Sequence, residues 1–95
     1  MEKSEAYRER MEAELRELKG RIEVLKGKAS KAKADMKIEL REEVEILEKK
    51  KAAFEEKVKK LRDSGSLAFE DLKAGVQNAY NDLKRGLDSA LDKFK

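Results

Sequence analysis

The side chains that could do chemistry are few in kind. The chain has no histidine and no cysteine, so general base and nucleophile roles fall to carboxylates, serines, lysines and tyrosines. Glu42–Glu43 and Glu55–Glu56 are adjacent acid pairs. On a helix, neighbours in sequence point apart, so neither pair can share a proton, and both read as solvated surface. Ser64 and Ser66 lack a histidine to activate them. Gly65 stands alone, without the glycine spacing that cradles phosphate. Carboxylates by themselves exclude the usual zinc sites. Lys49-Lys50-Lys51 is a short cationic run that could meet a phosphate, but Lys51 falls on an apolar stripe, where a polar residue sets register or snorkels. Tyr7 and Tyr80 fall on apolar stripes too, which favours packing over stacking on bases. No catalytic, cofactor-binding or metal-binding residue is expected, and no cofactor.

Charged residues make up 47% of the 95-residue chain and aromatics 5%, with Glu, Lys, Ala, Leu and Arg dominant and no proline. That is the composition of long helices and coiled coils. Lysines and arginines number 24 against 21 acids, a net charge of +3. Residues 1–30 carry 8 bases and 7 acids, 31–62 carry 11 and 8, and 63–95 carry 5 and 6. No segment is the polybasic arm that condenses on nucleic acid, which is not an expected partner. MEKSEAYRER has no apolar stretch, so no signal peptide is expected. No apolar run approaches the roughly 20 residues of a membrane span. A cytoplasmic single helical coiled-coil domain over 1–95 is the expectation.

The apolar residues are periodic. Tyr7, Met11, Leu15, Leu18, Ile22, Leu25, Ala29, Ala32, Met36, Leu40, Val44, Leu47, Phe54, Val58 and Leu61 follow in steps of three and four once Lys51 is counted. Fifteen steps cover 54 residues, the α-helical period of 3.6. Met11 to Met36 is a strict four-three heptad seam, and the steps from Met36 to Leu47 run four-four-three, which straightens a supercoil locally. Glu12–Arg16, Glu17–Arg21, Glu45–Lys49, Glu55–Lys59 and Glu56–Lys60 are pairs four apart, each worth ~0.3–0.5 kcal/mol. Gly20 and Gly27 each cost about 1 kcal/mol relative to alanine. GKASKAKAD, Gly27 to Asp35, is thin in bulky apolar residues, but it lacks Pro, Asn and paired Gly, and Ala and Lys favour helix. The spacing therefore predicts one long helix over about 3–62. Asp63-Ser64-Gly65-Ser66 joins a helix-ending glycine to a capping serine, so a turn at 63–66 and a second helix over about 67–94 follow.

That last segment repeats every eleven residues: AFEDLKAGVQN, AYNDLKRGLDS, ALDKFK. Eleven residues fill three turns, which keeps Phe69, Leu72, Val76, Tyr80, Leu83, Leu87, Leu91 and Phe94 on one face without supercoiling. Lys73, Lys84 and Lys95 run along one edge of it. Ala68, Gly75, Ala79, Gly86 and Ala90 run along the other, where small residues permit close helix approach. The face can pack on helix 1 or lie on a lipid surface, although Glu70, Asp71, Asp82, Asp88 and Asp92 weaken attraction to anionic lipid.

The fold class is all-α, a long helix followed by a shorter antiparallel helix. Helix 1 would be roughly 90 Å long and helix 2 roughly 42 Å. Folded back, helix 2 covers helix 1 only from about Ala32 to Leu61. Tyr7, Met11, Leu15, Leu18, Ile22 and Leu25 would face water, so a homodimer joined through a seam reaching Met36 is expected. The alternative is a break within Gly27–Asp35, giving three matched helices and a monomeric three-helix bundle.

EAYRERMEAELRELKGRIEVLKGKASKAKADMKIE and SLAFEDLKAGVQNAYNDLKRGLDSALDKFK together resemble a group of small, uncharacterised bacterial coiled-coil proteins, over nearly the whole chain. Such proteins usually carry Trp where this one has Phe69 and Tyr80. The resemblance implies a helical coiled-coil fold and names no activity, since the function of such proteins is not established. The eleven-residue repeat is similar in period and amphipathicity to those of apolipoproteins, synucleins and group 3 late-embryogenesis proteins. That similarity implies a lipid-coating or stress-protective role acting through the C-terminal helix. Two functions are therefore carried forward: a non-enzymatic interaction protein that self-associates through its seam, and a protein that binds membrane surfaces.

Overall fold

The long helix breaks after Lys31. A computed structural model describes residues 3–64 and 68–94, and among them are three helices: α1 (Lys3–Lys31), α2 (Ala34–Ser64) and α3 (Phe69–Lys93). The expected continuous helix over 3–62 is thus two helices joined through Ala32 and Lys33, and the three-helix alternative describes the architecture. Among the described residues α3 opens at Phe69, with Ala68 at its cap position and no side-chain cap. Asp63 and Ser64, expected in the turn at 63–66, still belong to α2; Gly65 and Ser66 of that turn, and Leu67, lie outside the described residues.

Local sequence does not ask for the first break. Lys33, just before α2, has no side-chain acceptor with which to cap it, and no glycine follows α1. Two backbone bonds flank the turn, Ala32 N–H to Ala29 O at 3.4 Å and Lys37 N–H to Lys33 O at 2.8 Å. Burial supplies the drive. Folding back covers Met11, Leu15, Leu18, Ile22 and Leu25, all 8% exposed or less. Burying each large apolar side chain is worth about 1.5–3 kcal/mol. Breaking a helix forgoes about four backbone hydrogen bonds at a net ~0.5–1.5 kcal/mol each. The first term exceeds the second.

Polar contacts give the topology. Lys19 pairs with Glu55 and Lys26 with Glu48, so α1 and α2 run antiparallel. Lys50 pairs with Asp82 and Glu39 with Lys93, so α2 and α3 do too. Tyr7 meets Gln77, Glu14 meets Tyr80 and Arg21 meets Asp88, so α1 and α3 run parallel. The bundle measures 50 × 19 × 18 Å. Among the described residues the core is built from all three helices and centres on Met11, Leu18, Ile22, Leu25, Leu47, Phe54, Val76, Leu83 and Leu87. α2 and α3 come close at Gly86, where a Cβ would stand 2.9 Å from Leu47 Cδ2. A Cβ on Gly75 would meet only the flexible Lys57 side chain, at 3.4 Å. The small edge read from the repeat is therefore a packing device.

Candidate functional site

Two apolar faces were the candidate sites, and both turn inward. Met11, Leu15, Leu18, Ile22 and Leu25 of the seam are buried within their own chain, and Tyr7 packs partly buried against the same core. Met36 differs: it keeps the phase of the seam but lies by the α1–α2 turn, 41% exposed. On α3, Phe69, Val76, Leu83, Leu87 and Phe94 are buried, while Leu72, Tyr80 and Leu91 are partly buried against the core. A face committed to a core is available to a partner only if the bundle opens.

Aromatic contacts pin the helix ends. Tyr7 and Phe69 stand edge to face at 5.6 Å, and Lys73 Nζ lies 5.4 Å and 5.6 Å from their ring centres. Lys73, on the lysine edge of α3, thus sets its ammonium against both ring faces. Tyr7 Oη donates to Gln77 Oε1 at 2.9 Å, and burial raises its pKa. Tyr80 Oη donates to Glu14 Oε2 at 3.3 Å; burial, then the Glu14 charge, raises its pKa. Both phenols therefore stay protonated and act as donors that fix helix register. Around Tyr7 and Phe69 an open cleft of about 380 Å³ carries Lys3, Arg10 and Lys73 on its rim.

Charges engage across helices as well as along them. Of the five pairs expected four residues apart, Glu56–Lys60 forms, at 3.8 Å. Glu55 instead reaches Lys19, and Arg21 reaches Asp88 at 2.5 Å. Lys51, the polar residue on the seam, snorkels to Glu48 at 2.8 Å, and Lys26 meets the other Glu48 oxygen at 2.8 Å. The Lys26 and Lys51 ammoniums hold Glu48 below the usual carboxylate range. Lys19 does the same for Glu55, and Arg21 for Asp88. Glu42, Glu55 and Glu56 are exposed. No group of three or more His, Cys, Asp or Glu is placed to hold a metal ion among the described residues. Among the described residues no helix is long and apolar enough to cross a membrane.

Off the seam, Val24, Ile38 and Ile46 are exposed at 53%, 63% and 49%. Ile38 is out of phase with the seam by periodicity alone. Val24 and Ile46 sit beside the seam residues Leu25 and Leu47, off the single apolar stripe. Their only sequence signal is that each lies a residue away from a leucine already assigned inward. Comparison with protein-family models, with curated proteins and with solved structures finds no match.

Proposed function

We propose that this chain is a non-enzymatic helical interaction protein that self-associates through its N-terminal apolar seam. The observation that carries the reading is Met36. It continues the phase of Met11–Ala32, yet stands 41% exposed at the turn end of the bundle, so the seam is longer than the bundle's own covering of it. Light scattering over a wide concentration range tests this. A dimer that grows with concentration supports the reading, and a monomer at every concentration removes it.

A second reading has its own support. The α3 face from Phe69 to Phe94 is a straight apolar stripe, and exposed ion pairs, Arg21–Asp88, Lys50–Asp82 and Glu39–Lys93, flank its seat. Exposed pairs add little stability. A lipid surface can replace the seat if α3 swings out, which would make the protein a membrane-surface or stress-protective factor. Co-sedimentation with vesicles tests it: pelleting with vesicles supports the reading, and chain left in the supernatant counts against it.

A further inference from the structure

The geometry points to the way a second copy is taken up: the α1–α2 turn straightens, and two chains exchange their α1 helices. This rests on the reading that the chain self-associates, and it names the partner and the moving part.

Four observations converge on the turn. The seam runs through it in unbroken phase, Ala29, Ala32, Met36 and Leu40 following at three, four and four residues. A structural turn normally resets that phase; this one does not. The residues around it, Lys31, Ala32, Lys33 and Ala34, are good helix formers with no stop signal. The helix ends beside it are poorly capped, since Lys33 offers no acceptor to the first N–H groups of α2. Met36 is in phase and exposed.

Straightened, residues 3–64 form one rod, and its α1 half leaves its own α2 and α3. A second straightened chain, lying antiparallel, supplies an identical α1 to the vacated groove and receives one in return. Every buried contact of Met11, Leu15, Leu18, Ile22 and Leu25 is rebuilt with the same residues of the other chain, as are the Lys19–Glu55 and Lys26–Glu48 pairs. Such exchange costs little in contacts, because nothing new has to be invented at the interface. Short hinges favour it. Two things are gained: the helix ends at the turn find their missing backbone partners, and the two Met36 segments meet near the dyad. The opposing cost is association itself, so the exchanged dimer forms with rising concentration.

Ala34→Pro separates the possibilities. Ala34 is the first residue of α2, a position where proline is accommodated, and Lys33 before it already lies outside both helices. In a continuous rod the same proline would lose its bond to the Ser30 carbonyl and clash with it. Wild type and variant are each refolded at high and low concentration, then measured by light scattering and circular dichroism. Wild-type dimers with an equally helical, monomeric variant are the expected result. A variant that dimerises as well as wild type overturns the exchange while leaving self-association standing. A wild type that never dimerises overturns both.

A distance measurement guards against a variant that fails to fold. Arg16 and Lys59 line one groove in the folded chain, and the protein has no native cysteine. Spin labels at Arg16→Cys and Lys59→Cys of one chain, in dimers made with unlabelled chain, should separate to roughly 65 Å if the helix straightens. A short intrachain distance kept in the dimer overturns the exchange.

Discussion

A Cβ on Gly86 would stand 2.9 Å from Cδ2 of Leu47, a side chain only 1% exposed. Gly20 and Gly27 on α1 have nothing within 4 Å of the same position. The three glycines occupy helix interiors, where alanine is intrinsically better by about 1 kcal/mol. Gly20→Ala and Gly27→Ala should each raise stability by up to that amount. Gly86→Ala should lower it, because Leu47 has no room to yield and overpacking costs about 1–3 kcal/mol. Thermal or urea unfolding of the three single variants checks the sign of each.

Positions one residue apart on α1 should differ greatly. Leu25 is fully buried and Val24 is 53% exposed. Leu25→Ala should cost about 2–5 kcal/mol through lost burial and the cavity left behind. Val24→Ala should stay within about 0.5 kcal/mol of wild type. Phe54, fully buried with its ring 5.8 Å from Tyr80, should cost about 3–5 kcal/mol on replacement by alanine. Urea titration of dilute protein reports all three, and a costly Val24→Ala would mean that face is covered.

Met36 separates folding from association. Half-exposed at the turn, it contributes little to the bundle, so Met36→Ser should change the unfolding free energy of dilute chain by less than about 0.5 kcal/mol. It should weaken the dimer measurably, because the exchanged form brings this residue into the seam. Sedimentation equilibrium of wild type and variant measures the second effect; an unchanged dimer constant would place Met36 outside the interface.

Acid and base should both loosen the bundle, by modest amounts. Glu48, Glu55 and Asp88 have pKa values lowered by Lys26, Lys19 and Arg21 from ordinary values of 4.5, 4.5 and 3.8. A lowered carboxylate stabilises the fold fully above its unfolded value and loses that contribution as pH falls through its folded value. Lys26 and Lys93 are raised above 10.5 by Glu48 and Glu39, so their contribution holds below 10.5 and fades at higher pH. Stability should be level from about pH 5 to 10 and decline outside it. Because these pairs are exposed, the acid loss should be small and should shrink further in high salt. Melting temperatures at pH 3, 7 and 11, each at low and high salt, test the sign.

What the sequence shows and what it hides divide along the range of the interactions. Met11, Leu18, Ile22, Leu47, Phe54 and Leu83 were legible as core because a 3.6-residue period marks an inward face whatever lies opposite. The close approach at Gly86 was legible as well, since the repeat places small residues on one edge. The break at Ala32–Lys33 was not. Lys31, Ala32, Lys33 and Ala34 say helix, and only the burial of Leu15 or Ile22, far along the chain, says otherwise. Hence seam residues expected to bind a second chain bind their own. The partners Lys19–Glu55 and Arg21–Asp88 were hidden for the same reason: they exist only after the chain has folded back.

The central claim is that a single chain turns at Ala32–Lys33 and covers its own seam. Small-angle scattering of dilute monomer tests it most directly. The bundle predicts a longest dimension close to 50 Å and a backbone radius of gyration close to 15.2 Å. A rod with a longest dimension of roughly 90 Å, the length of an unbroken 60-residue helix, would contradict it.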